Sequence, residues 1–152
     1  MWLVKKGQEK LGARLVRYAD GCVILCRGNT ARILRGVKLV FDDLGLDLNE
    51  EKAHVVDTHQ EMFYFLGFII GMKRGIKTGK MYTHIERSKK ALKHVRSEIK
   101  QLTTERYSAT PTEVVILRVN RVARGWVGYF HYGNCTKAMS SLRYYLGDRM
   151  RI

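Results

Sequence analysis

Arg17-Tyr18-Ala19-Asp20-Gly21-Cys22-Val23-Ile24-Leu25-Cys26-Arg27 is the stretch on which the reading of this chain turns. Leu15 to Tyr18 is a short β-type run, and Val23 to Cys26 reads as the strand returning from it. Between them, Asp20-Gly21 signals a hairpin over about residues 14–27, because glycine tolerates the positive φ of a tight primed turn. Such a hairpin holds the Asp20 carboxylate at a rigid tip. That is a good seat for a metal ligand, since strands and tight turns fix geometry better than loops do. Asp-Gly hairpins are also common as plain turns, and the local pattern leaves both readings open.

The chain has 152 residues, one domain of ordinary size or two small ones, and 45% of them are hydrophobic, enough to bury a core. No run of 18 apolar residues exists, and the start Met1-Trp2-Leu3-Val4-Lys5-Lys6 is wrongly ordered for a secretory signal. Charge is the loudest compositional fact, with 28 Lys and Arg against 14 Asp and Glu. It is unevenly placed. Residues 72–152 hold 18 basic and 5 acidic residues, a net +13, whereas residues 1–71 are nearly balanced. A one-sided positive field of that size implies a polyanionic partner, most simply nucleic acid. Nothing pairs Lys and Arg with an apolar face in the manner of a membrane-surface helix. Cys22, Cys26 and Cys135 lack disulfide or zinc spacing, and buried free thiols in a reducing compartment are expected.

Residues 1–13 show no complete element. Asn29 or Thr30 can cap a helix whose apolar face is Ile33, Leu34, Val37, Val40, Phe41 and Leu44, and Gly45 stands where a left-handed C-terminal cap belongs. Leu46 to Lys52 reads as a connection to a strand. Val55-Val56 and Phe63 to Ile70 are the strongest strand runs, the second apolar on both faces and expected to be largely buried, with a bend or close approach at Gly67. A glycine-punctuated basic hairpin follows from Met72 to Tyr82, placing Lys73, Arg74, Lys77 and Lys80 for phosphate contacts.

From Ile85 the period becomes helical. Ile85, Leu92 and Ile99, with Val95 and Leu102 between them, form an apolar seam. Lys89, Lys93 and Arg96 lie mainly off it, together with Arg87, Lys90 and Lys100, and are read as RNA-backbone contacts. Thr110-Pro111-Thr112-Glu113 is a helix start in capping-box form. Val115, Val119, Val122, Trp126 and Tyr129 make the next buried stripe, and Arg118, Arg121 and Arg124 take another face. Gly125 and Gly128 each cost a helix about 1 kcal/mol relative to Ala, which points either to packing around Trp126 or to close approach of RNA. A last helix, about Lys137 to Met150, turns Met139, Leu142, Tyr145 and Leu146 inward.

Four motifs, in order, carry a resemblance to group II intron reverse transcriptases/maturases. Tyr18-Ala19-Asp20-Gly21 resembles the family's Tyr-Ala-Asp-Asp palm hairpin, with Gly21 in place of its second Asp. Leu48-Asn49-Glu50-Glu51-Lys52 resembles a Leu-Asn-Glu-Glu-Lys segment, and Phe65-Leu66-Gly67-Phe68 a Phe-Leu-Gly-Phe hairpin near the primer end. Arg124-Gly125-Trp126 through Tyr129-Phe130 to Gly133-Asn134 resembles the maturase-specific domain. The likeness runs from about residue 14 to the end. It implies an α+β chain: a partial polymerase palm over residues 1–83, an antiparallel hairpin and strands with one helix, then an all-α thumb/maturase helical bundle over residues 84–152.

By resemblance Asp20 is a catalytic metal ligand and Lys52 neutralises or protonates departing pyrophosphate. Nucleotide addition in the family uses two divalent metals about 4 Å apart, held by carboxylates on different strands. The family's fingers and first palm strands would precede Met1, and Gly21 removes a further carboxylate. Polymerase activity is therefore not expected of this chain alone, and Mg²⁺ would matter only if that activity were reconstituted.

The first expectation is a C-terminal fragment that binds group II intron RNA, or other structured RNA, and assists splicing. An alternative is an RNA-directed DNA polymerase that acts on an RNA–DNA hybrid once a separate upstream palm/fingers chain is supplied. The third is an inactive retroelement remnant. No membrane partner is expected, and the compartment expected is cytoplasmic, a bacterial cytosol or an organelle interior.

Overall fold

The structure, a computed structural model, describes residues 12–19, 21–47, 49, 51, 53–104 and 110–151. The chain divides into two compact units, Met1–Val55 and Val56–Ile152. It is an α+β protein with two small antiparallel sheets and four helices among the described residues.

In the first unit β1 (Ala13–Tyr18) pairs antiparallel with β2 (Gly21–Cys26), and α1 (Thr30–Asp43) follows. The hairpin lies where the sequence puts it, but its turn sits one residue earlier. Gly21 is already in the ladder opposite Tyr18, and Ala19 takes the left-handed conformation at φ 51°. The Arg17 Nε donates 2.9 Å to the Ala19 carbonyl and braces that conformation. Asn29 caps α1, its side chain accepting 3.1 Å from the Arg32 amide. The helix ends in a Schellman motif, with the Leu46 amide bonded to Phe41 O and the Gly45 amide to Asp42 O. Of the six apolar residues expected along α1, only Ile33 is buried, and Leu34, Val40 and Leu44 are exposed.

In the second unit β3 (Phe63–Phe65), β4 (Phe68–Arg74) and β5 (Met81–Arg87) form an antiparallel meander in that order. The long apolar run from Phe63 to Ile70 is therefore two strands, not one. Leu66 and Gly67 both adopt positive φ, 50° and 80°, and reverse the chain so that Phe65 faces Phe68. Nor is the run largely buried, since Tyr64 is exposed on an edge strand. Val55 and Val56 are in no strand. Ile85 belongs to β5, not to the helical seam. Its spacing to Leu92 is coincidental, because Ser88 intervenes and caps the helix through a 3.1 Å bond to the Ala91 amide.

The three helices of this unit are α2 (Lys89–Thr104), α3 (Thr112–Phe130) and α4 (Thr136–Arg149), and α2 packs against both others. Val95, Ile99, Val115, Val119, Trp126, Phe130, Ala138 and Leu142 form one buried cluster. Fully burying a side chain such as Ile99 or Leu142 contributes roughly 1.5–3 kcal/mol. The sheet joins this core through Phe68, whose ring lies 5.0 Å from that of Phe130. Trp126 Nε1 reaches Ala91 O, and Tyr129 donates its hydroxyl to Leu66 O. That last bond keeps Tyr129 at the surface, and Phe130 takes the core place expected for it. Pro111, not Thr110, is the N-cap of α3, and no side chain caps it. Pro111 lacks an N–H to satisfy, and its carbonyl already accepts from Val114 and Val115.

Candidate nucleic-acid interface

Asp20 and Lys52 lie outside the described residues. On either side of position 20 the hairpin is narrow, with Tyr18 paired to Gly21 and Arg17 to Cys22. Among the described residues no group of three His, Cys, Asp or Glu side chains comes together as a metal site. The three thiols are free. Cys22 is exposed, and Cys26 and Cys135 are half-buried, so none is the buried thiol expected. A two-stranded ribbon with a single helix cannot enclose Cys22 and Cys26.

The basic hairpin forms as expected, but its four cations do not share a face. Lys73 stands opposite Tyr82 and Arg74 opposite Met81, so adjacent side chains leave opposite sides of the sheet. Lys77 and Lys80 are exposed in the connecting loop beside Ile76, which is fully exposed.

On α2, Lys89 and Lys93 are exposed. Arg96 behaves differently. It is half-buried, its Nη2 donates 2.7 Å to Ser141 Oγ, and its guanidinium lies 5.3 Å above the Tyr145 ring. Tyr145 donates back to Arg96 O at 3.1 Å. These contacts clamp α2 to α4, and they leave little of Arg96 to offer an outside anion. Two turns on, buried Thr103 donates to Ile99 O and accepts from Nε and Nη2 of Arg149 at 3.0 and 2.7 Å. Arg149 thus places a positive charge at the C-terminal end of α2, where the helix dipole favours it.

On α3, Arg118, Arg121 and Arg124 are all exposed, and no ion pair holds them among the described residues. Leu117, Arg121, Arg124 and Gly128 follow four-, three- and four-residue steps, which is one helix face. That face lies opposite Val115, Val119 and Trp126. Arg118 sits a quarter-turn around from it. Leu117 is 68% exposed. A Cβ at Gly125 or Gly128 would meet nothing within 4 Å. Packing around Trp126 therefore does not account for either glycine, and their helix cost has no counterpart among the described residues.

Two exposed tyrosines toward the C-terminus are not among the residues that carry the four motifs. Tyr132 and Tyr144 are strongly exposed, and Tyr132 stacks on His131 with ring centroids 3.9 Å apart. The exposure of Tyr144 follows from the helical wheel, on which it lies opposite Leu142 and Leu146. No helix of the described residues is long and apolar enough to cross a membrane.

Residues 92–152, which take in α2 from its fourth residue together with α3 and α4, match the family model for the group II intron maturase-specific domain. No curated protein matches the chain.

Proposed function

We propose that this chain, whose residues 92–152 match the family model for the group II intron maturase-specific domain, binds intron RNA and assists its splicing. The observation that carries the reading is the outward face of α3. Arg121 and Arg124 stand there unpaired among the described residues, and Gly128 between successive turns adds no side chain to hold a partner off. Guanidinium groups match phosphate geometry through paired donors. A residue without a side chain lets a sugar-phosphate backbone come against the helix itself. Lys89 and Lys93, Lys77 and Lys80, and Arg118 extend the positive field, within a half-chain of net +13. Arg96 acts from inside by fixing α2 against α4.

The test is binding of structured intron RNA over a range of salt. Affinity should fall steeply, as counterions released from each neutralised phosphate add to the slope. Binding indifferent to salt would remove this reading.

The second reading is polymerase activity restored by a separate upstream chain, and one observation favours it. The β1–β2 ribbon and α1 leave Val16, Leu25, Leu39 and Leu44 exposed, and a two-stranded hairpin is marginal on its own. In that assembly Asp20 would bind Mg²⁺ and Lys52 would face the nucleotide phosphates on an RNA–DNA hybrid. Primer extension that needs both the added chain and Mg²⁺, and is lost in Asp20→Ala, supports it. Extension that survives Asp20→Ala rejects that role for Asp20.

A further inference from the structure

Helix α4 turns Ala138 and Leu142 into the core and leaves an opposite face of different character. Tyr144 stands on that face with 78% of its surface exposed, more than any other tyrosine described. Ser140, one turn before it, and Gly147, one turn after it, are too small to cover the ring. A Cβ at Gly147 would meet nothing within 4 Å. The result is an open depression of about 390 Å³, lined by Ser140, Arg143, Tyr144, Gly147, Asp148 and Arg151. Two guanidinium groups flank one carboxylate, and neither Arg143 nor Arg151 has an ion-pair partner among the described residues.

We propose that Tyr144 is a stacking platform for an unpaired RNA base, with Arg143 and Arg151 holding the phosphates on either side of it. The chemistry points to RNA, because a large aromatic left bare between arginines suits a flat ring carried on a polyanion. It points to an unpaired base, because bases within a duplex have both faces covered by their neighbours. Asp148 supplies an acceptor for a base amino group or a ribose 2′-hydroxyl. The proposal rests on the RNA-binding reading above and adds to it a second site of different specificity.

The experiment uses the full chain and a single-stranded RNA oligonucleotide carrying 2-aminopurine, whose fluorescence falls when the base stacks. Intron RNA binding is measured in parallel. Quenching is expected with the native chain and with Tyr144→Phe. In Tyr144→Ala the quenching should disappear and the single-strand affinity fall about ten- to a hundredfold, as for other stacked bases. Because Tyr144 is exposed, the Ala variant should melt like the native chain. Quenching that persists in Tyr144→Ala, or a native chain that binds intron RNA but never quenches the probe, overturns this site and leaves the α3 face standing. A chain that binds neither RNA overturns both.

Discussion

The amide of Asn134 donates a 2.6 Å hydrogen bond to the carbonyl of Ile85, and Gly133 lies against that same carbonyl. The contact ties the turn between α3 and α4 to the last strand of the sheet, 49 residues earlier in a chain of 152. It explains why the motif Gly133-Asn134 needs its first residue. Gly133 has φ 70°, and a Cβ there would run into Ile85. Gly133→Ala should therefore lose at least about 2 kcal/mol, combining left-handed strain with a backbone clash. A lowered urea midpoint with an unchanged slope would register the loss.

Gly128 gives the opposite expectation. Its helix position is open, so Gly128→Ala should raise stability by up to about 1 kcal/mol through helix propensity. The same methyl group should weaken RNA binding if the backbone of the RNA comes against this face. Thermal melts and filter binding on one preparation read both effects, and equal or tighter binding would show that α3 meets nothing there.

The α3 arginines and Arg96 should separate cleanly. Arg121→Gln and Arg124→Gln should each lower the slope of log affinity against log salt by about one, with melting unchanged. Arg96→Gln should instead cost about 1–3 kcal/mol of stability, because Ser141 loses its guanidinium donor and the Tyr145 ring loses the charge above it. Salt titrations and denaturation curves of the three variants distinguish the roles.

Thr103 and Arg149 should behave as one unit. Thr103→Val removes the hydroxyl that accepts both Nε and Nη2 of Arg149, leaving Nη2 with Thr104 Oγ1, and should cost about 1–3 kcal/mol. The double variant with Arg149→Gln should cost less than the sum of the two. A double-mutant cycle measures that coupling, and strict additivity would show that the two residues act independently.

Periodicity reads well where one face is buried and the other is wet. The three C-terminal helices follow that pattern. Val95, Ile99, Val115, Val119, Trp126 and Leu142 stand in the core where their spacing places them. It fails where two strands are both apolar, as in Phe63 to Ile70, because a tight turn at Leu66–Gly67 leaves no polar gap to mark it. It fails again where side chains compete for one place. Tyr129 and Phe130 are adjacent and both aromatic, and a single hydroxyl bond to Leu66 O decides which stays outside. Arg96 reads as a surface cation on any helical wheel. Only the position of α4 turns it inward.

The order of residues alone determined the hairpin, the helices, the lopsided charge and the maturase likeness of the C-terminal segment, because turn chemistry, side-chain period and net charge are local or additive properties. Which cations remain available to a partner, and that Gly125 and Gly128 meet no neighbour among the described residues, are settled only in three dimensions. Those depend on which helix lies against which, and contacts between residues tens of positions apart leave no period in the chain.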